Sequence, residues 1–146
     1  MTVISRVART VATSTVAAIA MVGGVTGPAA AAYPTASAHW TWGATAVNAL
    51  GTFYNRSVHV GVDIRIPAHE CRGIIIVAYA LNASNNKLTQ LGDNREADCN
   101  YGEASGNFRF DIDAAANVAG GANQIEVILT NGGSTVLGPS RVLYKI

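Results

Sequence analysis

From Val58 to Ile66 apolar and polar side chains alternate without a break. Val58, Val60, Val62, Ile64 and Ile66 fall on one parity, and His59, Gly61, Asp63 and Arg65 on the other. A period of two puts successive side chains on opposite faces of an extended chain, so this segment predicts a half-buried strand. Pro67, which cannot donate to a ladder, closes it. Gly73 to Asn82 is apolar on both parities from Ile74 to Leu81. That is the pattern of a central strand covered on both faces, or of one whose outer face meets a partner. Asn85-Asn86 tolerates positive φ and turns the chain into a short strand, Lys87 to Leu91. Gly92 to Gly106 carries Asp93, Asn94, Glu96, Asp98, Asn100 and Glu103 and predicts a long polar loop tethered through Cys99.

Alternation returns at Phe108, Phe110 and Ile112 against Arg109, Asp111 and Asp113, and at Ile125, Val127 and Leu129 against Gln124, Glu126 and Ile128. Asn131-Gly132-Gly133 is a hairpin signal. Beyond it lie Ser134 to Leu137, the Gly138-Pro139 break, and a last strand with Val142, Tyr144 and Ile146 in phase. Upstream, Ala38 to Trp42 and Ala44 to Leu50 predict a first pair of strands, and Ala114 to Asn117 predicts a helical turn. Seven or eight short strands divided by turn signals predict an all-β fold of two packed antiparallel sheets. The expected architecture is an immunoglobulin-like sandwich, with a small closed β-barrel as the alternative. There is no solenoid-period repeat and no linker to a second domain.

The beginning of the chain reads differently. Arg6 and Arg9 precede an apolar run from Val11 to Val25, then Gly27-Pro28 and the alanines Ala29 to Ala32. These are the charged, apolar and small-residue parts of a secretory signal, so cleavage is expected after Ala32 and the folded domain over 33–146. Gly23-Gly24 interrupts the run, which falls short of the roughly 20 apolar residues of a membrane span. No span is expected after cleavage. Export would carry Cys71 and Cys99 into an oxidising compartment, where they are expected to pair.

Composition narrows the partners. Lys+Arg 10 against Asp+Glu 9 leaves no charge excess to hold a nucleic acid or an anionic membrane. Charged residues at 13% and hydrophobic residues at 49% exclude a disordered chain. Eight Arg against two Lys, with abundant Ala, Gly and Val, suggests a GC-rich bacterial source. The sequons Asn55-Arg56-Ser57 and Asn82-Ala83-Ser84 would then be chance matches.

Each candidate chemistry meets a geometric test. Ser57, His59 and Asp63 offer triad residue types on one strand face. Residues two apart on a strand are separated by about 6.7 Å and residues four apart by about 13 Å, so His59 cannot bond Asp63. A solvated polar face with Asp63 and Arg65 in cross-strand charge pairs is expected instead. Gly102 to Gly106 places Ser105 one position late for a nucleophile elbow. His39 and His69 lack a second ligand at metal-binding spacing. Asn94, Glu96, Asp98 and Asn100 alternate oxygen donors as calcium loops do, but Cys99 occupies the position such a loop reserves for Gly. No phosphate-binding glycine motif occurs. Asp111 and Asp113, about 6.7 Å apart on one face, leave open a small hydrolase acting on polysaccharide. No catalytic residue, metal or cofactor is expected.

The least ordinary segment is Tyr33 to Tyr54. It lacks formal charge and holds half of the ten aromatic residues. Trp40 and Trp42, two apart, project from one face, and with Tyr54 they are candidate ligand-binding residues: exposed indoles offer flat apolar surfaces to sugars or proteins, unless they roof the core. The expectation is a secreted, extracellular, non-enzymatic binding protein, its partner another extracellular protein or a cell-wall polysaccharide. A self-associating surface protein is a further alternative, which an uncovered Ile74 to Leu81 face or a long unpaired edge strand would mark.

Overall fold

A computed structural model describes residues 32–146; apart from Ala32, the expected leader lies outside the described residues. Eight strands follow one another: β1 (Thr35–Trp42), β2 (Thr45–Phe53), β3 (Ser57–Ile66), β4 (Cys71–Asn82), β5 (Lys87–Cys99), β6 (Gly106–Ala115), β7 (Gln124–Thr130) and β8 (Arg141–Tyr144). They pair antiparallel into two four-stranded sheets, ordered β1-β2-β3-β6 and β5-β4-β7-β8. Both sheets keep two edges, so the fold is an open sandwich and not the closed barrel considered above.

The inward parities meet in one core. Val58, Val60, Val62, Ile64 and Ile66 of β3 lie in it with Phe53, Phe110, Ile112 and Val47 of the same sheet. Ile74, Ile76, Ile125, Val127, Leu129 and Leu143 come from the other sheet. Gly51 of β2 lies against side chains of the facing sheet. A Cβ there would lie 2.7 Å from Leu143 Cδ1, so a larger residue would force the facing side chains to shift. β4 is central as its sequence predicted. It lies between β5 and β7, with Ile74, Ile76 and Ala78 inward and Ile75, Val77 and Tyr79 outward.

Three expectations are corrected. The stretch expected to be a long loop after Leu91 is strand as far as Cys99. Its inward parity, Gly92, Asn94 and Glu96, overhangs the core and runs along the edge of β6. A Cβ on Gly92 would meet Ala115 O at 2.5 Å, the Asn94 amide donates to Asp113 O at 2.8 Å, and Asp111 N–H donates to the Glu96 carboxylate at 3.2 Å. Alternation is absent because that parity meets backbone polar groups, not apolar side chains. Leu91 is the extra residue of a bulge, since Ala78 pairs with Gly92 and Tyr79 with Gln90. Second, Ala114-Ala115 ends β6 without a helical turn, and Ala114 and Ala116 point into the core. Third, the final strand buries Leu143, while Tyr144, on the expected apolar parity, is 61% exposed.

The expected disulfide is formed. Cys71 and Cys99 are directly opposite one another with Cα atoms 4.0 Å apart, closing the open end of the β4–β5 hairpin. Asn100, read above as a metal-loop donor, turns the chain out of β5 and is buried. Its amide donates to the carbonyls of Ile66 (2.9 Å), Pro67 (3.2 Å) and Ala104 (2.8 Å), and its oxygen accepts from Gly102 N–H at 3.0 Å. The side chain is fully engaged as a brace between the β3–β4 and β5–β6 connections.

Candidate functional site

The strand registers assemble the outward parity of the first sheet into a grid. One row crosses all four strands as His39, Asn48, Asp63 and Arg109; the next runs Ser37, Leu50, Gly61 and Asp111; a third runs Thr35, Thr52, His59 and Asp113. Thr41, Ala46, Arg65 and Asn107 complete the face. Directly opposed side chains lie about 5 Å apart in such rows, within reach of each other.

Within the grid, polar side chains join in a connected chain. Arg109 reaches Asp63 Oδ1 at 3.2 Å and binds Asp111 in a two-pronged fork, with Nε and Nη2 each 3.1 Å from a carboxylate oxygen. His59 lies between Asp111 and Asp113, with Nε2 at 3.5 Å from Asp111 Oδ1 and Nδ1 at 3.0 Å from Asp113 Oδ1. His39 Nδ1 meets Asn48 Oδ1 at 2.6 Å. Asp111 and then Asp63 raise the Arg109 guanidinium above its ordinary value, by hydrogen bonding and charge. Asp63 makes the cross-strand charge pair expected of it, with Arg109 across the β3–β6 register.

The Arg109 guanidinium lies over Gly61, where a Cβ would stand 2.8 Å from Nη2, so with the ion pair in place this position has room only for glycine. Two shallow depressions flank the His39 to Arg109 row. One of about 310 Å³ is lined by Ser37, His39, Asn48, Leu50, Gly61 and Asp63, and one of about 500 Å³ by Asn48, Asp63, Arg65, Asn107 and Arg109 among others. Asp111, Asp113 and His59 line neither. The carboxylates considered for sugar hydrolysis are brought together around one imidazole, but on open sheet, with side chains 51% and 74% exposed. Among the described residues no cluster of three or more His, Cys, Asp or Glu has geometry for a metal ion.

The aromatic candidates are dispersed. Trp40 is 6% exposed, on the inward parity with Ala36 and Ala38, under the Arg141 guanidinium at 5.9 Å from the ring centre. Its indole N–H is buried without a partner among the described residues. Trp42 shares that parity but lies at the strand end beyond the core. It is 44% exposed and leans on Gly138, whose φ of +72° and missing Cβ make room for the ring. Tyr54 packs edge-on against Tyr33, with centroids 4.6 Å apart, at the opposite end of β2. An exposed two-indole platform does not form: Trp40 roofs the core, the other outcome considered for the pair.

The link of His59 to Asp111 and Asp113, and of Asp63 to Arg109, was missed in the sequence. Each strand's alternation told which residues face out, but only the pairing of β3 with β6 says which meet. No family model, curated protein or solved structure matches this chain.

Proposed function

We propose that the protein is a secreted, non-enzymatic binding module of the extracellular space or cell envelope, with the polar outer face of β1-β2-β3-β6 as its recognition surface. The supporting observation is that face itself: a flat array of His39, Asn48, Asp63, Arg109, Asp111 and His59. Its hydrogen-bonding groups are spread over an open sheet, as suits a polar protein surface rather than a substrate cavity. The aromatic platform typical of sugar stacking is missing from it, which favours an extracellular protein over a cell-wall polysaccharide as partner. The apolar leader and the Cys71–Cys99 disulfide support export, and the arginine-rich composition supports a bacterial source. Strand order supports the immunoglobulin-like reading: β2-β3-β6 and β5-β4-β7-β8 pair as strands A, B, E and C′, C, F, G of such sandwiches do, with β1 added outside.

The test places a photo-crosslinking side chain at Asn48 and exposes the protein to envelope proteins and to isolated cell walls. Capture of a discrete protein, lost in Arg109→Ala, is the expected result. Capture that Arg109→Ala leaves unchanged overturns the assignment of this face. Release of soluble sugar from the walls, abolished by Asp111→Asn, would replace the reading with the hydrolase alternative.

A further inference from the structure

We propose that β1 pairs with a second copy of this chain, strand to strand and antiparallel, joining two four-stranded sheets into one of eight. The four sheet edges are treated unequally. The β6 edge is occupied by the side chains of Asn94 and Glu96. The β5 edge carries the bulge at Leu91 and the charges of Lys87, Asp93, Arg95, Glu96 and Asp98. β8 is four residues long. β1 has eight residues in unbroken register with β2, and within it there is no charge, proline or bulge. Charges, bulges and shortness are the devices that keep sheet edges from pairing, and β1 has none of them.

The direction of its free groups follows from one bond. Phe53 N–H donates to Pro34 O at 2.9 Å, continuing the β1–β2 register by one pair. Hydrogen-bonded and non-hydrogen-bonded pairs alternate along an antiparallel ladder. The even-numbered residues of β1 therefore bond β2, and Thr35, Ser37, His39 and Thr41 turn N–H and C=O outward. None of these outward groups has a backbone partner among the described residues.

A second copy fits this edge because the strand is complementary to itself. A two-fold axis through Ala38 pairs Thr35 with Thr41 and Ser37 with His39, which uses every outward group. On the inner side it sets Trp40 beside Ala36, large against small. It also brings the two Ala38 residues together at the close pair, where Cα atoms approach to about 4.5 Å and small side chains fit best. With no charged side chain in the strand, the axis brings no like charges into opposition. The outcome would be a two-fold dimer presenting two copies of the outer grid on one continuous sheet.

The test is sedimentation equilibrium over a wide concentration range, on the chain expressed in full and purified as an exporting host processes it. The expected result is a mass twice that of the single chain at the high end. Ser37→Pro removes an outward N–H without touching the β1–β2 ladder, and Ser37→Lys adds the charge other edges carry. Both are expected to return the mass to that of one chain, and Ser37→Lys with an unchanged circular dichroism spectrum keeps the test valid if proline disturbs the strand. Amide exchange of Ser37 and His39 should slow at least tenfold between dilute and concentrated samples. Single-chain mass at all concentrations, assembly beyond a dimer, or a dimer that a folded Ser37→Lys variant leaves intact would each overturn the proposal.

Discussion

β5 and β1 are both edge strands that bury little of their own surface, and they reach that state by opposite means. β5 is charged, bulged and sewn to the edge of β6 through Gly92, Asn94 and Glu96, which fall opposite Ala115, Asp113 and Asp111 in antiparallel order. Side chains of one strand there take the place of the backbone ladder that would have closed the sandwich. β1 is uncharged, regular and open. An edge strand's polarity thus depends on what lies beside it: β5 needs donors and acceptors because it faces a backbone edge, whereas β1 has only to keep its own ladder to β2 and cover the core with Ala36, Ala38 and Trp40.

The comparison can be broken most severely at the end of β5. Replacing Cys71 and Cys99 together with alanine opens a loop of 29 residues and is expected to cost about 3–4 kcal/mol in urea unfolding by the chain-entropy relation. Reductant should lower the midpoint of the unsubstituted protein to the same place. Asn100→Ala comes next. It leaves the carbonyls of Ile66 and Pro67 and the Gly102 amide without their partner, with an expected loss of about 2–3 kcal/mol. Asn100→Asp should be no better, because a carboxylate would face those carbonyls where a donor is needed. A loss below half a kcal/mol in either variant would show that the brace is dispensable.

Smaller effects sharpen the contrast between the two edges. Glu96→Ala should cost about 1 kcal/mol and speed exchange of the Asp111 amide, whereas Ser37→Lys on β1 should leave single-chain stability within about 0.5 kcal/mol. Equal costs at both positions would mean that the edges do not differ as described. The smallest effect is alkaline. Burial first, and then donation to Glu126 at 3.1 Å, raise the Tyr79 hydroxyl above its ordinary value. The unfolded chain therefore loses this proton first, and stability falls as pH climbs past about 10 and through the higher folded value. Tyr79→Phe should flatten that fall. An identical slope in the two proteins would assign it to other groups.

The sequence by itself determined the all-β class, the inward parities of β3, β6 and β7, the central position of β4, and the pairing of Cys71 with Cys99. In each case the deciding property is local: a two-residue period of apolar side chains, an apolar run on both parities, or just two cysteines in the whole sequence. The identity of neighbours was left to tertiary structure. His59 meets Asp111 and Asp113, and Asp63 meets Arg109, because β3 pairs with β6 across an intervening excursion into the other sheet. Trp40 is interior and Trp42 is not because the core ends between them, although they share a parity. The strand from Gly92 to Cys99 was hidden for the same reason, since its facing parity answers to a backbone edge contributed by β6. A period is written within one strand, but a face, an edge and a seam are made by two, and long-range register decides which two.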